Sequence, residues 1–171
     1  LCAIHINHNL QTQAASWQQH CEHFCAANNI ELTVVNVAIK GQSNIEAKAR
    51  EARFNAFAKH VGEGDVLLLA QHLQDQSETV LYRLMRGAGV QGLSAIHTQR
   101  TLGALKVLRP LLNVDKSYIQ SFAKAWQLSF VEDPSNQDQS FDRNYIRQTV
   151  MPVLNKRWPK AVQSLQQVAS H

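Results

Sequence analysis

Apolar and polar positions along the chain switch between a strand-like and a helix-like period. Leu1-Cys2-Ala3-Ile4-His5-Ile6 is a short apolar run that stops at Asn7-His8-Asn9. From Gln11 to Asn29 the apolar residues Trp17, Cys21, Phe24 and Cys25 recur at helical spacing. A strand followed by a helix is predicted. Leu32 to Ile39 is rich in β-branched residues and ends at Gly41-Gln42, the pattern of a second strand. Ser43-Asn44-Ile45-Glu46 then reads as a capping box, in which hydroxyl and carboxylate each satisfy a free backbone N–H, opening an Ala-rich helix to about His60. Gly62-Glu63-Gly64 ends that helix, and the near-continuous apolar run from Asp65 to Ala70 predicts a strand buried on both faces of a parallel sheet. A third helix is predicted from about Asp75 to Arg86, stopped by Gly87.

Beyond Gly87 the pattern loosens into a Gly-rich stretch to Gly103, an apolar segment from Leu105 to Leu112 and a helix from about Asp115 to Trp126. Leu128-Ser129-Phe130-Val131 reads as a further strand, and Asp133 to Asp138 as a loop. A helix is predicted from near Asp142 towards Leu154, bent by Pro152, with Pro159 in the first turn of a last helix. No internal repeat is present. Strands alternating with helices at these lengths imply right-handed crossovers, hence an α/β fold: a layered parallel sheet with flanking helices, followed by a short helical C-terminal segment. The expected division is an α/β domain over 1–140 and a helical extension over 141–171. In such sheets ligands sit beyond the carboxyl ends of the strands, which directs attention to the segments after Ile6, Ile39 and Ala70.

Composition narrows the class. At 171 residues, 44% hydrophobic and 18% charged, the chain has the balance of a globular domain rather than of a disordered one. Its apolar runs are far shorter than the ~20 residues of a membrane-spanning helix, so no membrane partner is expected. Three cysteines without framework spacing fit a reducing compartment, and a cytoplasmic location is expected. His20, Cys21, His23 and Cys25 lack the two-residue cysteine spacing of structural zinc sites, and the cysteines read as small core residues. The net charge is +4, and from Arg143 onward the chain carries Arg143, Arg147, Lys156, Arg157 and Lys160 with no acidic residue. That end is either a solvated basic face or a surface for a polyanion.

The densest chemistry lies in Ala70 to Thr79, where an apolar run gives way to polar positions around His72. Asp75 and Glu78 are three apart at a helix start, so both carboxylates can face one side. Such a pair holds Mg2+ or orients an ammonium group, unless Asp75 only caps the helix. Glu46, Arg50 and Arg53 share a helix face, as a surface ion pair or as a phosphate clamp. Arg86-Gly87-Ala88-Gly89-Val90-Gln91-Gly92-Leu93 is a helix stop, or a backbone that lets a phosphate approach.

Together these stretches resemble the tRNA(Ile)-lysidine synthetases, N-type ATP pyrophosphatases with a PP-loop and an adenine nucleotide α-hydrolase-like fold. The resemblance rests on His5-Ile6-Asn7-His8-Asn9-Leu10, Glu46 to Phe54, Ala70 to Thr79, and Arg86 to Leu93. It continues through Arg109-Pro110-Leu111-Leu112, Glu132 to Asn136 and Asp142 to Arg147. The segments occur in family order over nearly the whole chain. Two features depart from the family pattern. The Ser-Gly-Gly-x-Asp-Ser phosphate loop does not occur and would lie before Leu1, so the chain reads as a catalytic domain without its first strand and PP-loop, inactive alone. Gln74 stands where the family usually has the first of two aspartates, and Asp75 matches the second.

The resemblance implies ATP and Mg2+ as cofactors, and as partners L-lysine and the tRNA(Ile) with a CAU anticodon, whose wobble cytidine is adenylated and then attacked by lysine. It implies catalytic roles for Asp75, Glu78, Arg50 and Arg53, with Asp75 and Glu78 also as Mg2+ ligands. His5, His8, His72, Gly87 and Gly89 would line the nucleotide cleft, and Arg86, Arg143 and Arg147 would contact tRNA or the activated intermediate. Two other readings stay open: another PP-loop tRNA-modifying enzyme such as a thiolase, and a noncatalytic RNA-binding module that lost the ATP loop.

Overall fold

A computed structural model of the chain describes residues 1–8, 11–39 and 45–170, without the Glu46 side chain. The Ser43–Glu46 capping box and Asn9-Leu10 lie outside the described residues. The elements are β1 (Cys2–Asn7), α1 (Ala14–Ala27), β2 (Glu31–Asn36), α2 (Ile45–His60), β3 (Val66–Leu68), α3 (Leu73–Met85) and α4 (Val90–Leu93). There follow β4 (Gln99–Leu102), β5 (Leu105–Leu108), α5 (Lys116–Ala125), a 3-10 turn (Pro134–Gln137), α6 (Asp142–Tyr145), a π-helical turn (Ile146–Val150), α7 (Met151–Arg157) and α8 (Ala161–Ser170). The alternation of strands and helices is that of a layered α/β fold with a helical C-terminal end. The chain divides into two compact units, Leu1–Leu67 with Leu102–Lys106, and Leu68–Thr101 with Val107–His171.

In the first unit β1 and β2 pair in parallel, with Ile4 opposite Thr33 and Ile6 opposite Val35. A parallel pair cannot be joined by a tight turn, and α1 is the crossover that joins this one. Pairing continues one step past β2, where Val37 N–H donates to the Asn7 carbonyl. Cys25 on α1 and Ala56 and Phe57 on α2 are buried.

The remaining strands form a sheet in the order β3-β5-β4. Here the structure corrects two expectations. The run predicted as a strand buried on both faces is only three residues long, and Leu67 is buried while Val66 and Leu68 are exposed. A one-sided strand alternates, and the apolar composition of 65–70 hid that alternation. The Leu128–Val131 strand is absent: Gln127 turns left-handed at φ 50°, and the chain leaves α5 as extended backbone with Phe130 and Val131 exposed. A β-rich composition does not make a strand where no neighbouring edge accepts its ladder bonds.

The second unit is built around α3. Leu73 and Leu81 on its inner face pack with Ile146, Met151 and Val162, and Tyr82, Val150, Leu154 and Leu165 close the cluster. Residues 142–157 run as one helical path with a π turn, and that turn ends at Val150, two residues before Pro152. Proline has no N–H to return to the carbonyl four residues back, so a register change there relieves the ladder locally. Val80 on α3 is 1% exposed, whereas Val153 on α7 is 67% exposed. Val80→Ala removes two buried carbons and is expected to cost about 2 kcal/mol in urea unfolding, while Val153→Ala should stay within about 0.5 kcal/mol; equal costs would contradict this packing.

Candidate active site

The first turn of α3 lies just beyond β3, where a polar cluster follows an apolar strand. The Asp75 carboxylate folds back so that its Oδ2 accepts the His72 backbone N–H at 3.0 Å, satisfying a donor that the helix start leaves open. One turn further, Glu78 is 2% exposed. Burying a lone carboxylate is costly, and Arg147 answers it: Nε and Nη2 each donate to one Glu78 oxygen at 2.8 Å. This is the bidentate fork that guanidinium and carboxylate geometry favour. The same Nη2 stands 3.6 Å from Asp75 Oδ1. The hydrogen bonds from Arg147 to Glu78, and then the charges of Glu78 and Asp75, hold the guanidinium above its ordinary pKa against the opposing effect of burial. Next to it Arg143 Nη2 donates to the Thr79 hydroxyl at 2.9 Å, and that hydroxyl donates to the Asp75 carbonyl at 2.6 Å.

Asp75, Glu78, Arg143 and Arg147 thus converge on one surface of α3, although sequence reading assigned the acids to catalysis and the arginines to RNA. Both Glu78 oxygens are taken by Arg147, so Glu78 does not fit a metal ion. No group of three or more His, Cys, Asp or Glu that would hold one occurs among the described residues. His72, at the cap of α3, has its Nδ1 buried without a hydrogen-bond partner, 3.5 Å from Asp75 Oδ2. Arg86 folds over the Tyr82 ring at 5.3 Å and donates to its hydroxyl. Gly87 adopts φ +72°, the left-handed turn that ends α3, and a side chain at Gly89 would meet open space. Neither glycine is required by a close approach.

The other predicted residues belong to the first unit. His8, at the end of β1, has a buried Nδ1 without a partner. Burial first, then the charges of Arg53 and His5, hold its imidazole below the ordinary value. His5 Nδ1 lies 3.5 Å from Cys21 Sγ, so this ring is engaged with α1, and burial lowers its pKa despite Glu22. The Arg50 guanidinium rests over the Phe54 ring at 5.1 Å. A cavity of ≈ 260 Å³ opens beyond β2, lined by Ala38, Ile39, Lys48, Glu51, Ala52 and Asn55.

Sequence reading missed the amides that fix this site. Gln74 Nε2 donates to Asp115 Oδ2 at 2.9 Å while its Oε1 accepts the Lys116 N–H, so the amide clips α3 to the start of α5. The Ser117 hydroxyl and N–H, with Gln74, hold Asp115 below its ordinary pKa. An aspartate at position 74 would face that carboxylate with like charge. Gln76 clips Ile96 through both its N–H and its carbonyl. Arg109, 3% exposed, donates to Gln71 and to the His97 carbonyl, bracing the segment that leads into His72. The alternating glutamines Gln74 and Gln76 at a helix start are the only signal that could have marked these clips.

The chain is 47% identical over all its 171 residues to a tRNA(Ile)-lysidine synthase of Pseudomonas aeruginosa, and 48% identical over 163 residues to one of Yersinia pestis. It spans 39% and 35% of those relatives' lengths, against 100% and 95% of its own. Among solved structures it resembles the U34-tRNA thiolase NcsA from Methanococcus maripaludis with its [4Fe-4S] cluster, at a TM-score of 0.76 and 16% identity over 99% of this chain and 60% of that one. At that identity the likeness concerns the fold. The family model of the ATP-binding PP-loop domain matches residues 1–154, and the chain belongs to the PP-loop domain family.

Proposed function

We propose that the chain carries the reactive part of a tRNA(Ile)-lysidine synthase, ligating lysine to the wobble cytidine of the CAU anticodon in the cytoplasm at the expense of ATP. The observation that carries this reading is the pairing of a buried Glu78–Arg147 fork with a partly accessible Asp75 beyond β3. Identity to lysidine synthases across the whole chain supports it. ATP, when bound, supplies the adenylate that turns the cytidine oxygen into a leaving group. His72, whose buried Nδ1 lacks a hydrogen-bond partner, fits a polar contact to a nucleotide beside Asp75. With Glu78 engaged, no step is assigned to Mg2+.

The chain's own residues have separable tasks. Glu78 fixes Arg147 in one orientation, and Arg147 with Arg143 presents positive charge where the phosphate and the activated base carry negative charge. Lysine's ε-amine, ordinarily protonated at neutral pH with a pKa of ~10.4, must shed a proton before it can form the new carbon–nitrogen bond. Asp75, 20% exposed at its side chain, is the carboxylate able to receive the incoming ammonium and take that proton. The cytidine carbon then gains nitrogen as its bond to the AMP oxygen breaks. The thiolase alternative asks for reactive cysteines, and the three here sit on β1 and α1, with Cys25 buried.

Asp75→Asn in the complete gene product keeps the side-chain oxygen that caps α3 but loses the base. Lysidine formation, read by mass analysis of digested tRNA, is expected to fall by about 100-fold or more with unchanged melting temperature; undiminished lysidine would sink the assignment.

A further inference from the structure

The bend between α7 and α8 carries a cavity that the proposed reaction does not use. Its volume is ≈ 630 Å³, its floor is apolar, formed by Leu81, Leu154 and Leu165, and its rim carries Arg157, Trp158 and Lys160. A pocket of this size suits one small planar group. Trp158 is 60% exposed, so much of its ring is open to solvent. The backbone beneath it is tied at both ends: Trp158 N–H donates to the Leu154 carbonyl at 2.7 Å, and the Trp158 carbonyl accepts from Ala161 N–H at 2.9 Å. The indole is therefore displayed on a fixed bend. Arg157 and Lys160 make no ion pair among the described residues, and residues 143–171 contain no acid that would pair with them.

An apolar protein segment would satisfy the floor and the ring but leave the two cations unanswered. A single-stranded nucleic acid answers both, because a base stacks on the aromatic face while its flanking phosphates meet the cations. Leu81 lies three residues from Glu78 on α3, so the cavity is about one helical turn along from the Glu78–Arg147 fork. We infer that this cavity is a second RNA contact, which holds one unpaired base of the substrate on Trp158 with its phosphates on Arg157 and Lys160. The inference rests on the tRNA reading above and names a surface that takes part in it.

The test uses the complete gene product and a tRNA(Ile) transcript with a CAU anticodon, its binding measured over a series of KCl concentrations. Trp158→Ala should weaken binding by roughly tenfold or more, and Trp158→Phe, which keeps a stacking face, should recover most of the loss. Arg157→Gln with Lys160→Gln should flatten the slope of log affinity against log salt by about 1.4, at ~0.7 per phosphate contact of a single strand. Parental affinity and slope in all three variants would overturn the inference, as would unchanged RNA binding accompanied by a change of oligomeric state, which would mark a protein-docking face. If the parent itself binds no tRNA, the failure belongs to the proposed function; if the parent binds and modifies tRNA while the variants match it, the failure is confined to this cavity.

Discussion

A carboxylate that is almost wholly buried must be neutralised or paired, and the second unit is arranged around how Glu78 meets that demand. Arg147 reaches it from 69 residues away with both prongs of its guanidinium. That contact requires residues 142–150 to lie along α3 in one register, which the Leu73, Leu81, Ile146 and Met151 cluster holds. Breaking one partner of such a buried pair costs far more than the pair contributes over an apolar substitute. The fork is therefore a device for position more than for stability. It leaves Asp75 as the carboxylate with access to solvent, and Arg147 as a cation that cannot swing away.

The elements were legible where local chemistry decides them. The i, i+3 spacing of Asp75 and Glu78 and the glycine after Arg86 are enough to predict α3 and to put both acids near one another. The partners of those acids were not legible. Arg147 and Arg143 carry no local mark distinguishing an arginine that clamps a carboxylate from one that faces solvent, because the contact is made across the fold. For the same reason a basic, acid-free C-terminal stretch read as uniform charge divides in the structure: Arg143 and Arg147 turn inward onto α3, while Arg157 and Lys160 face outward beside Trp158.

Failures of the pattern also have physical sources. Leu128–Val131 has strand composition, but a strand exists only where an edge receives its hydrogen bonds. The run at 65–70 looks buried on both sides because exposed and buried positions there are both aliphatic. Gln74 is the more instructive case. It departs from the family pattern by one carboxylate, yet its amide donates to Asp115 and accepts from Lys116, a two-way contact an aspartate could not make. Gln76 does the same with Ile96, so the glutamines of α3 fix the helix against its neighbours.

A double-mutant cycle on Glu78 and Arg147, followed by urea unfolding, tests the frame most directly. Arg147→Met alone strands a buried carboxylate and is expected to cost about 3 kcal/mol or more. Glu78→Gln with Arg147→Met together should cost less than Arg147→Met alone, a coupling that identifies the fork. Small, additive effects would show that Glu78 is neither buried nor held by Arg147, and the site built on that contact would fall with it.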